Sequence, residues 1–301
     1  MLEVAHVSKS FGAVRAVDDL SLTAAPGAVF GLLGPNGAGK TTSIRMILDI
    51  LEPDQGEVRW DGRRVDADAR HTFGYLPEER GLYPKMKIRD QLLFFARLHG
   101  MTDAAAKERI TQLAETFHLQ EGIAKNPIEL SKGNQQKVQF MAAVVHNPPL
   151  LVVDEPFAGL DPINVEIFKG TIRQLVAGGT TIVLSSHRME QVEELCRDIC
   201  ILDRSKAVVQ GNLAEIKRNW PDRFIQMTAT DERSFLDRFP GMAALPSENG
   251  YLRLRIPVDV RPADVLRAAV AMSSQVDHFE VVEPTLNDIY LHYVRPEEPV
   301  S

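Results

Sequence analysis

A glycine-rich segment between an apolar run and a helix-like run constrains this chain more than any other feature. The apolar run ends at Leu33 and the helix-like run opens at Thr42. Residues 34–41 between them read Gly-Pro-Asn-Gly-Ala-Gly-Lys-Thr and fit the pattern G-x-x-x-x-G-K-[ST]. Glycines let the backbone turn tightly and aim successive N–H groups at a polyphosphate, and the helix start adds its positive dipole end. The sequence therefore predicts a phosphate-binding loop between a buried strand and a helix.

The side chains of this loop have distinct expected tasks. The ammonium group of Lys40 can reach the β- and γ-phosphates of a nucleotide, and the hydroxyl of Thr41 can ligate Mg²⁺. A plain glycine-rich turn between a strand and a helix is the alternative that the pattern leaves open. The residues predicted to bind the nucleotide here are Gly34, Pro35, Asn36, Gly37, Ala38, Gly39, Lys40, Thr41 and Thr42.

Length and composition fit an ordinary soluble globular protein of one large or two ordinary domains. The chain has 301 residues, of which 44% are hydrophobic and 25% charged. No stretch approaches the roughly 18 consecutive apolar residues of a membrane span, and the start lacks a basic region followed by an apolar core. We therefore expect a cytosolic protein, in which Cys196 and Cys200 are reduced and buried.

The charge distribution bears on the choice of partner. The formal net charge is −7, and residues 220–301, with 8 Arg, no Lys and 13 acidic residues, hold −5 of it. Neither part of the chain has the basic face that nucleic-acid binding usually requires. We therefore expect no nucleic-acid partner.

Hydrophobic patterns divide the chain into parts. Residues 1–60 alternate short β-type runs with turns, whereas the apolar positions in residues 88–146 have helical spacing. Strand and helix then alternate up to Leu202. This alternation predicts an α/β fold with a mostly parallel sheet, an N-terminal antiparallel β part and a helical insertion.

A different pattern begins near Trp220 and predicts a small α+β domain. Residues 296–301 are expected to fray. The elements expected in this domain are strands 223–229 and 276–282, a hairpin around residues 247–250, and helices 231–238, 262–272 and 284–294.

An apolar strand that ends in two acids lies about 110 residues after the phosphate loop. It runs from Leu150 to Val153 and is followed by Asp154 and Glu155. A buried parallel strand delivers its last residue to the sheet edge where the phosphate loop also lies. Asp154 is then placed to hold Mg²⁺ through water, and Glu155 to polarise a water for attack on the γ-phosphate. Taken alone, the same pattern also suits a strand-to-loop cap.

Together, these motifs resemble the ATP-binding subunit of an ABC transporter, in that family's order and spacing. Residues 130–137 stand where the family has its signature Leu-Ser-Gly-Gly-Gln. In the family this segment reaches across a head-to-tail dimer and caps the γ-phosphate of the partner's ATP. The resemblance thus implies that Ser131, Gly133 and Asn134 contact ATP in a second subunit. Ser131 also suits an N-cap whose helix start points at an anion, and a plain capped helix is the alternative.

Three further residues match the family's motifs. Asp161 ends a segment that resembles the D-loop, which touches the opposite site of the dimer. His187 follows a strand end and matches the switch histidine that hydrogen-bonds the γ-phosphate. Phe11 fits the aromatic residue that stacks on adenine. Without the resemblance these residues suit a turn before a helix, a surface histidine and ordinary core or turn packing.

Two departures from the family pattern are informative. Glu78 stands where the Q-loop usually has glutamine, and it is expected to bind Mg²⁺ or its water, together with Thr41 and Asp154. Lys132 and Asn134 replace a glycine and the glutamine of the signature. These departures, with the end of the second domain at residues 283–291, resemble a bacterial exporter-type subgroup that includes sodium-extrusion proteins.

The resemblance implies a domain organisation and a function. The expected domains are an ABC ATPase domain over 1–218, with a helical subdomain at about 88–147, and an accessory domain over 222–295. The expected activity is hydrolysis of ATP with Mg²⁺ by a homodimer, peripheral on the inner face of the cell membrane, which drives a separate integral membrane permease. The contact with that permease is expected near residues 79–84. Soluble ABC proteins acting on ribosomes or DNA, and an unrelated P-loop kinase, are the alternatives.

Overall fold

The computed structural model describes residues 1–79, 81–228, 239, 241–248, 250–272 and 276–294. It divides the chain into two compact units, Met1–Asn212 and Leu213–Ser301. Within the described residues, no helix combines the length and the apolar character that crossing a membrane demands. The predictions for helix 231–238 and for the tail 296–301 lie outside these residues.

The first unit begins with an antiparallel sheet, as the sequence predicts. Its strands have the order β2-β1-β4-β5. The first two strands form a hairpin that is longer than the short apolar runs at 2–4 and 20–23 indicated. Polar residues extend it, because Lys9 pairs with Val17 and Ser10 with Arg15 near its exposed tip. The strands are β1 Leu2–Phe11, β2 Val14–Ala24, β4 Gln55–Trp60 and β5 Arg63–Arg64.

A six-stranded sheet forms the centre of this unit, in the order β10-β9-β3-β8-β7-β6. Every neighbouring pair is parallel except β10 and β9 at one edge, so the mostly parallel sheet is confirmed. Strands β3, β7 and β8 are buried along their whole length and end at the same sheet edge. The strands are β3 Val29–Leu33, β6 Gly74–Leu76, β7 Leu150–Asp154, β8 Thr181–Ser185, β9 Asp198–Asp203 and β10 Lys206–Asn212.

Seven α-helices of the described part complete this unit. Helix α1 starts at Lys40, two residues before the predicted start, because the left-handed backbone of Gly39 turns the loop directly into the helix. The rings of Phe117, Phe140 and Phe168 pack together, with centroids 4.8–5.7 Å apart, and join α4, α5 and α6. The helices are α1 Lys40–Ile47, α2 Ala67–Thr72, α3 Ile88–Leu98, α4 Asp103–Thr116, α5 Lys132–Val144, α6 Pro162–Ala177 and α7 Met189–Leu195.

Both cysteines of the chain are buried and carry free thiols, as expected. Cys196 directly follows α7, and Cys200 lies within β9. Burial raises the pKa of the Cys200 thiol to about 12 and shifts that of Cys196 in the same direction. Both side chains therefore contribute to the core as small apolar groups.

The second unit is an α+β fold, which confirms the expected fold class. It opens with helix α8 Leu213–Arg218, and its antiparallel sheet has the order β12-β13-β11-β14. Side chains of the sheet, such as Ile225 and Leu254, pack with Val265 of a helix in one buried cluster. The remaining elements are β11 Arg223–Met227, β12 Ala243–Glu248, β13 Tyr251–Ile256, β14 Phe279–Val282 and the helices Pro262–Met272 and Leu286–Val294.

A buried ion pair joins β13 to the last helix of this unit. The guanidinium of Arg253 is 4% exposed and donates to both carboxylate oxygens of Asp288, at 3.0 and 2.5 Å. Asp288 also accepts hydrogen bonds from the backbone N–H and the hydroxyl of Thr285, both at 2.7 Å. The pair therefore fixes the start of this helix against the sheet.

Replacing Asp288 should destabilise the second unit. We expect Asp288→Ala to lower its free energy of unfolding by about 3–5 kcal/mol, because the Arg253 guanidinium would stay buried without its carboxylate. Urea denaturation followed by circular dichroism measures this, and Asp259→Ala, at an exposed acid of the same unit, is the matched control. A loss below about 0.5 kcal/mol, the range of ordinary surface substitutions, would contradict the structural role of the pair.

Candidate nucleotide-binding and hydrolysis site

The backbone of the phosphate loop is tied to two neighbouring strands. Gly34 and Gly39 have φ angles of 147° and 106°, which favour glycine. A Cβ atom would lie 2.3 Å from the carbonyl oxygen of Leu202 at Gly34, and 2.4 Å from that of Ala16 at Gly39. Gly37 also has a left-handed backbone, with φ 81°, but open space around it. The loop therefore packs on β9 and β2 at its ends and is open at its middle, as a phosphate cradle requires.

Lys40 begins α1 and lies over the loop. Its Nζ donates to the carbonyl oxygens of Gly34 at 2.8 Å and Pro35 at 3.1 Å. Burial lowers the pKa of this ammonium, and the negative charges of Glu155, Asp154 and Glu78 oppose that effect. Because the ammonium is partly desolvated and sits on the loop, the residues present fit a polyphosphate.

The oxygen donors expected at a magnesium ion lie close to this lysine. Thr41 follows Lys40 with an exposed side chain, and Asp154 ends β7 at only 3% exposure. Burial raises the pKa of Asp154, and the charges of Glu78 and Glu155 raise it further. Hydroxyl and carboxylate oxygens are the donors that Mg²⁺ prefers, and it usually takes one or two carboxylates together with substrate phosphates. These side chains therefore suit a nucleotide-bound Mg²⁺.

The structure places Glu155 and His187 in direct contact. Glu155 follows β7 with a left-handed φ of 50°, and its backbone N–H donates to the carbonyl of Ser185 at 2.9 Å. Its Oε1 lies 2.8 Å from Nδ1 of His187, and its Oε2 accepts from the hydroxyl of Ser186 at 3.3 Å. The Glu155 side chain is 10% exposed, whereas that of His187 is 67% exposed. The carboxylate is thus held by two neighbours beside the predicted metal ligand Asp154.

Helix caps are present at two other loops of the first unit, and the one at Ser131 was predicted. Ser131 caps α5, since its Oγ accepts from the backbone N–H of Asn134 at 3.3 Å. Asp161 caps α6 in the same way, since its Oδ1 accepts from the backbone N–H of Asn164 at 2.9 Å. Ser131 is exposed and Gly133 half-buried, so the start of α5 faces outward from its own chain.

Phe11 lies at the tip of the β1–β2 hairpin. It is 52% exposed and pairs with Val14 of β2. The same strand brings the carbonyl of Ala16 against Gly39 of the phosphate loop. The aromatic face predicted to stack on adenine is therefore exposed at the end of β1, in the hairpin whose other strand, β2, packs on the loop.

Several buried polar residues of α5 were not predicted from the sequence. Lys137 on α5 is buried and donates to the carbonyl of Phe117 at 3.0 Å, and Gln136 donates to that of Pro156, after Glu155, at 3.4 Å. Gln139 donates to the backbone carbonyls of the residues on either side of Glu78. The spacing of Gln136, Gln139, Phe140 and Ala143 follows one face of a helix, which is a signal that these glutamines are buried.

Comparison with solved structures defines the class of protein. The structure described as "Structure of ATP binding subunit of ABC transporter" superposes with a TM-score of 0.69 at 32% identity, over 72% of this chain and 92% of that one. The fold is thus that of a P-loop ATPase cassette. The ABC transporter family model matches residues 17–158, and the model for the DrrA1-3-like C-terminal domain of ATP-binding proteins matches residues 211–294.

Comparison with curated proteins defines the family. An uncharacterized ABC transporter ATP-binding protein of Bacillus subtilis, YhaQ, is 45% identical over 98% of both chains. The Nod factor export ATP-binding protein I of Paraburkholderia xenovorans is 38% identical over 70% of each chain. This chain therefore belongs to the ABC transporter ATP-binding proteins, and its cassette is an ATPase that binds ATP. The predicted family and activity are confirmed.

Proposed function

We propose that this chain hydrolyses ATP as a head-to-tail dimer and thereby drives export through a separate membrane permease, on the cytoplasmic face of the cell membrane. The catalytic part of this proposal is supported by one group of side chains at one edge of the sheet, which consists of Lys40, Asp154, Glu155 and His187. It combines an anion-binding loop, a buried metal-type carboxylate and an oriented base.

Nucleotide binding is assigned to the phosphate loop. Its N–H groups surround the phosphates, and Lys40 exchanges its two carbonyl contacts for the β- and γ-phosphate oxygens. Thr41, Asp154 and Glu78 are the residues that would hold Mg²⁺ or its waters, and the ion would supply positive charge to the phosphates. Phe11 supplies the aromatic face for the adenine.

Water activation is assigned to Glu155. Its carboxylate accepts the proton of the attacking water, since it lies at the end of β7 where the γ-phosphate would be in line. His187 and Ser186 restrict the rotation of the carboxylate by their hydrogen bonds. The ring of His187 is exposed, so on binding of the γ-phosphate it can turn and donate its N–H to a phosphate oxygen.

The second half of each site is assigned to the partner subunit. The N-terminus of α5 carries a partial positive charge and is exposed at Ser131, so it suits the γ-phosphate of an ATP held by another chain. Gly133 leaves room for that phosphate, and Asn134 offers an amide beside it. Asp161 at the start of α6 would contact the opposite site in the same dimer.

The first test concerns the phosphate loop. We expect Lys40→Ala to weaken ATP binding by about 100-fold or more, equivalent to about 2.7 kcal/mol, because the charge that faces the phosphates is lost. Isothermal titration calorimetry with Mg²⁺ and ATP measures it. Lys107→Ala, at an exposed lysine of α4, should bind as the unaltered chain does. Unchanged affinity in Lys40→Ala would overturn the loop assignment.

The second test concerns transport. Where a neighbouring gene encodes a protein with several apolar segments of about 20 residues, both proteins are co-expressed and purified in detergent through a tag on that membrane protein. We expect this chain to co-purify and its ATP hydrolysis rate to change when the complex forms. Normal hydrolysis by the isolated chain without co-purification would instead favour a non-transport partner. The name of the Nod factor export relative supports export.

A further inference from the structure

Three glutamines on α5 bind the backbones of three different loops. Gln135 donates to the carbonyls of Pro127 and Leu130 in the segment before the helix, and Gln136 to that of Pro156 after Glu155. Gln139, one turn further along the helix, reaches the segment that follows β6. A single rigid helix thus holds its own exposed start, the loop after the proposed base and the loop that carries Glu78.

The contacts of Gln139 are placed around one residue. Its Nε2 donates to the carbonyl oxygen of Glu79 at 2.8 Å and to that of Pro77 at 3.3 Å. These two carbonyls flank Glu78, whose own side chain is exposed to solvent. Gln139 is 6% exposed and lines a cavity of about 330 Å³ together with Gly81 and Leu82 of the same segment.

The electrostatics of the site show why the position of Glu78 matters. Its charge acts on the pKa values of both Lys40 and Asp154. A carboxylate on a freely moving loop would lose a well-defined distance to a magnesium ion, because Coulomb energy and coordination both depend on that distance. The backbone on each side of Glu78 is instead held by one buried amide.

The far end of the segment is held by a second glutamine. Gln91 of α3 is fully buried, accepts from the backbone N–H of Tyr83 at 2.9 Å and donates to the carbonyls of Tyr83 and Met86 at 3.0 and 2.7 Å. The segment is therefore fixed at its beginning to α5 and at its end to α3. The backbone on both sides of Glu78 is thus hydrogen-bonded to α5.

We propose that Gln139 is the positioning residue for Glu78 and that it couples Glu78 to the outward-facing cap of the same helix at Ser131. This inference rests on the proposed function, in which Glu78 acts at the magnesium ion and Ser131 at the partner's ATP. When α5 moves so that its start caps the ATP of a second subunit, the side-chain amide of Gln139 moves the segment around Glu78 with it. Gln139 itself contacts neither nucleotide nor metal.

The variant that tests this is Gln139→Met, which keeps the length of the side chain and removes its two donor contacts. We expect ATP affinity to stay unchanged, kcat to fall about tenfold and the Mg²⁺ concentration for half-maximal rate to rise by a similar factor, as for other supporting contacts of a metal site. Gln112→Met, at an exposed glutamine of α4, is the matched control and should leave all three quantities unchanged. An unchanged Mg²⁺ dependence in Gln139→Met would overturn the proposal.

A double-mutant cycle separates positioning from general destabilisation. Glu78→Ala should itself raise the Mg²⁺ requirement, and Gln139→Met should add little to it in that background, since both changes disable the same contact. Additive effects would show that Gln139 acts by another route and overturn the inference. A silent Glu78→Ala, with ATP binding intact, would instead remove the proposed role of Glu78 and leave the phosphate loop and Glu155 assignments standing.

A second substitution covers the case in which the methionine variant does not fold. Gln139→Glu preserves the shape, but an ionised carboxylate there accepts hydrogen bonds and cannot donate them to two carbonyls. Its protonated form has one O–H and can donate to only one of the two carbonyls, so the Mg²⁺ requirement of Gln139→Glu should exceed that of the unaltered chain. An unchanged Mg²⁺ requirement in Gln139→Glu would contradict the proposal.

Discussion

Glu155→Gln should bind ATP with unchanged affinity, and its rate of ATP hydrolysis should fall by a factor of about 10²–10⁴, the range typical of a general base. The amide has the shape of the carboxylate, so the contacts with His187 and Ser186 can be retained. It lacks the negative charge that takes up the proton of the attacking water. Phosphate release under saturating ATP measures the rate, and calorimetry measures the affinity.

The same variant should accumulate a closed dimer. With hydrolysis blocked and binding intact, ATP stays between the two subunits, and size-exclusion chromatography with ATP should show a dimer that the unaltered chain forms only transiently. Glu115→Gln, at an exposed acid of α4, is the matched control and should hydrolyse ATP normally. A Glu155→Gln protein that retains turnover within a few-fold of the unaltered chain would remove Glu155 as the main catalytic residue.

Local signals in the sequence were enough to predict much of the candidate site. The turns at Gly34 and Gly39 need a backbone that glycine adopts readily, and their spacing from Lys40 is set within one short segment. The cap at Ser131 also depends on a residue only three positions away. Such features are visible in sequence because the atoms that satisfy them are close along the chain.

Features that depend on distant partners were not visible in this way. Strand β10 was missed because its residues are exposed or half-buried and show no clear alternation, and it exists only by pairing with β9. The contact between Glu155 and His187 joins the ends of two strands and was not predicted, although both residues were named. The spacing of Gln139 along its helix indicates burial, but its partner is not visible in the sequence, because the loop that it contacts lies 60 residues away.

The exposed cap of α5 leads to a prediction about the partner subunit. We expect Ser131→Arg to leave ATP binding by the single chain intact and to abolish ATP-dependent dimerisation and nearly all hydrolysis. A bulky side chain would fill the space proposed for the γ-phosphate held by the other subunit. Thr102→Arg is the matched control, because Thr102 caps the neighbouring helix α4 in the same way and is also exposed. The Thr102→Arg chain should lose about 1 kcal/mol of stability with its helix cap, as Ser131→Arg does, and should keep its ATPase activity.

Mixed dimers make the prediction specific to a site shared between subunits. When a Lys40→Ala chain pairs with a Ser131→Arg chain, one composite site keeps both of its halves and the other loses both. We therefore expect the mixture to hydrolyse ATP at a measurable fraction of the normal rate, although each variant alone is inactive. Mixtures as inactive as either variant would show that turnover needs two intact sites. Normal hydrolysis by Ser131→Arg alone would show that this segment is only a capped helix, and the shared-site mechanism would then have to be withdrawn.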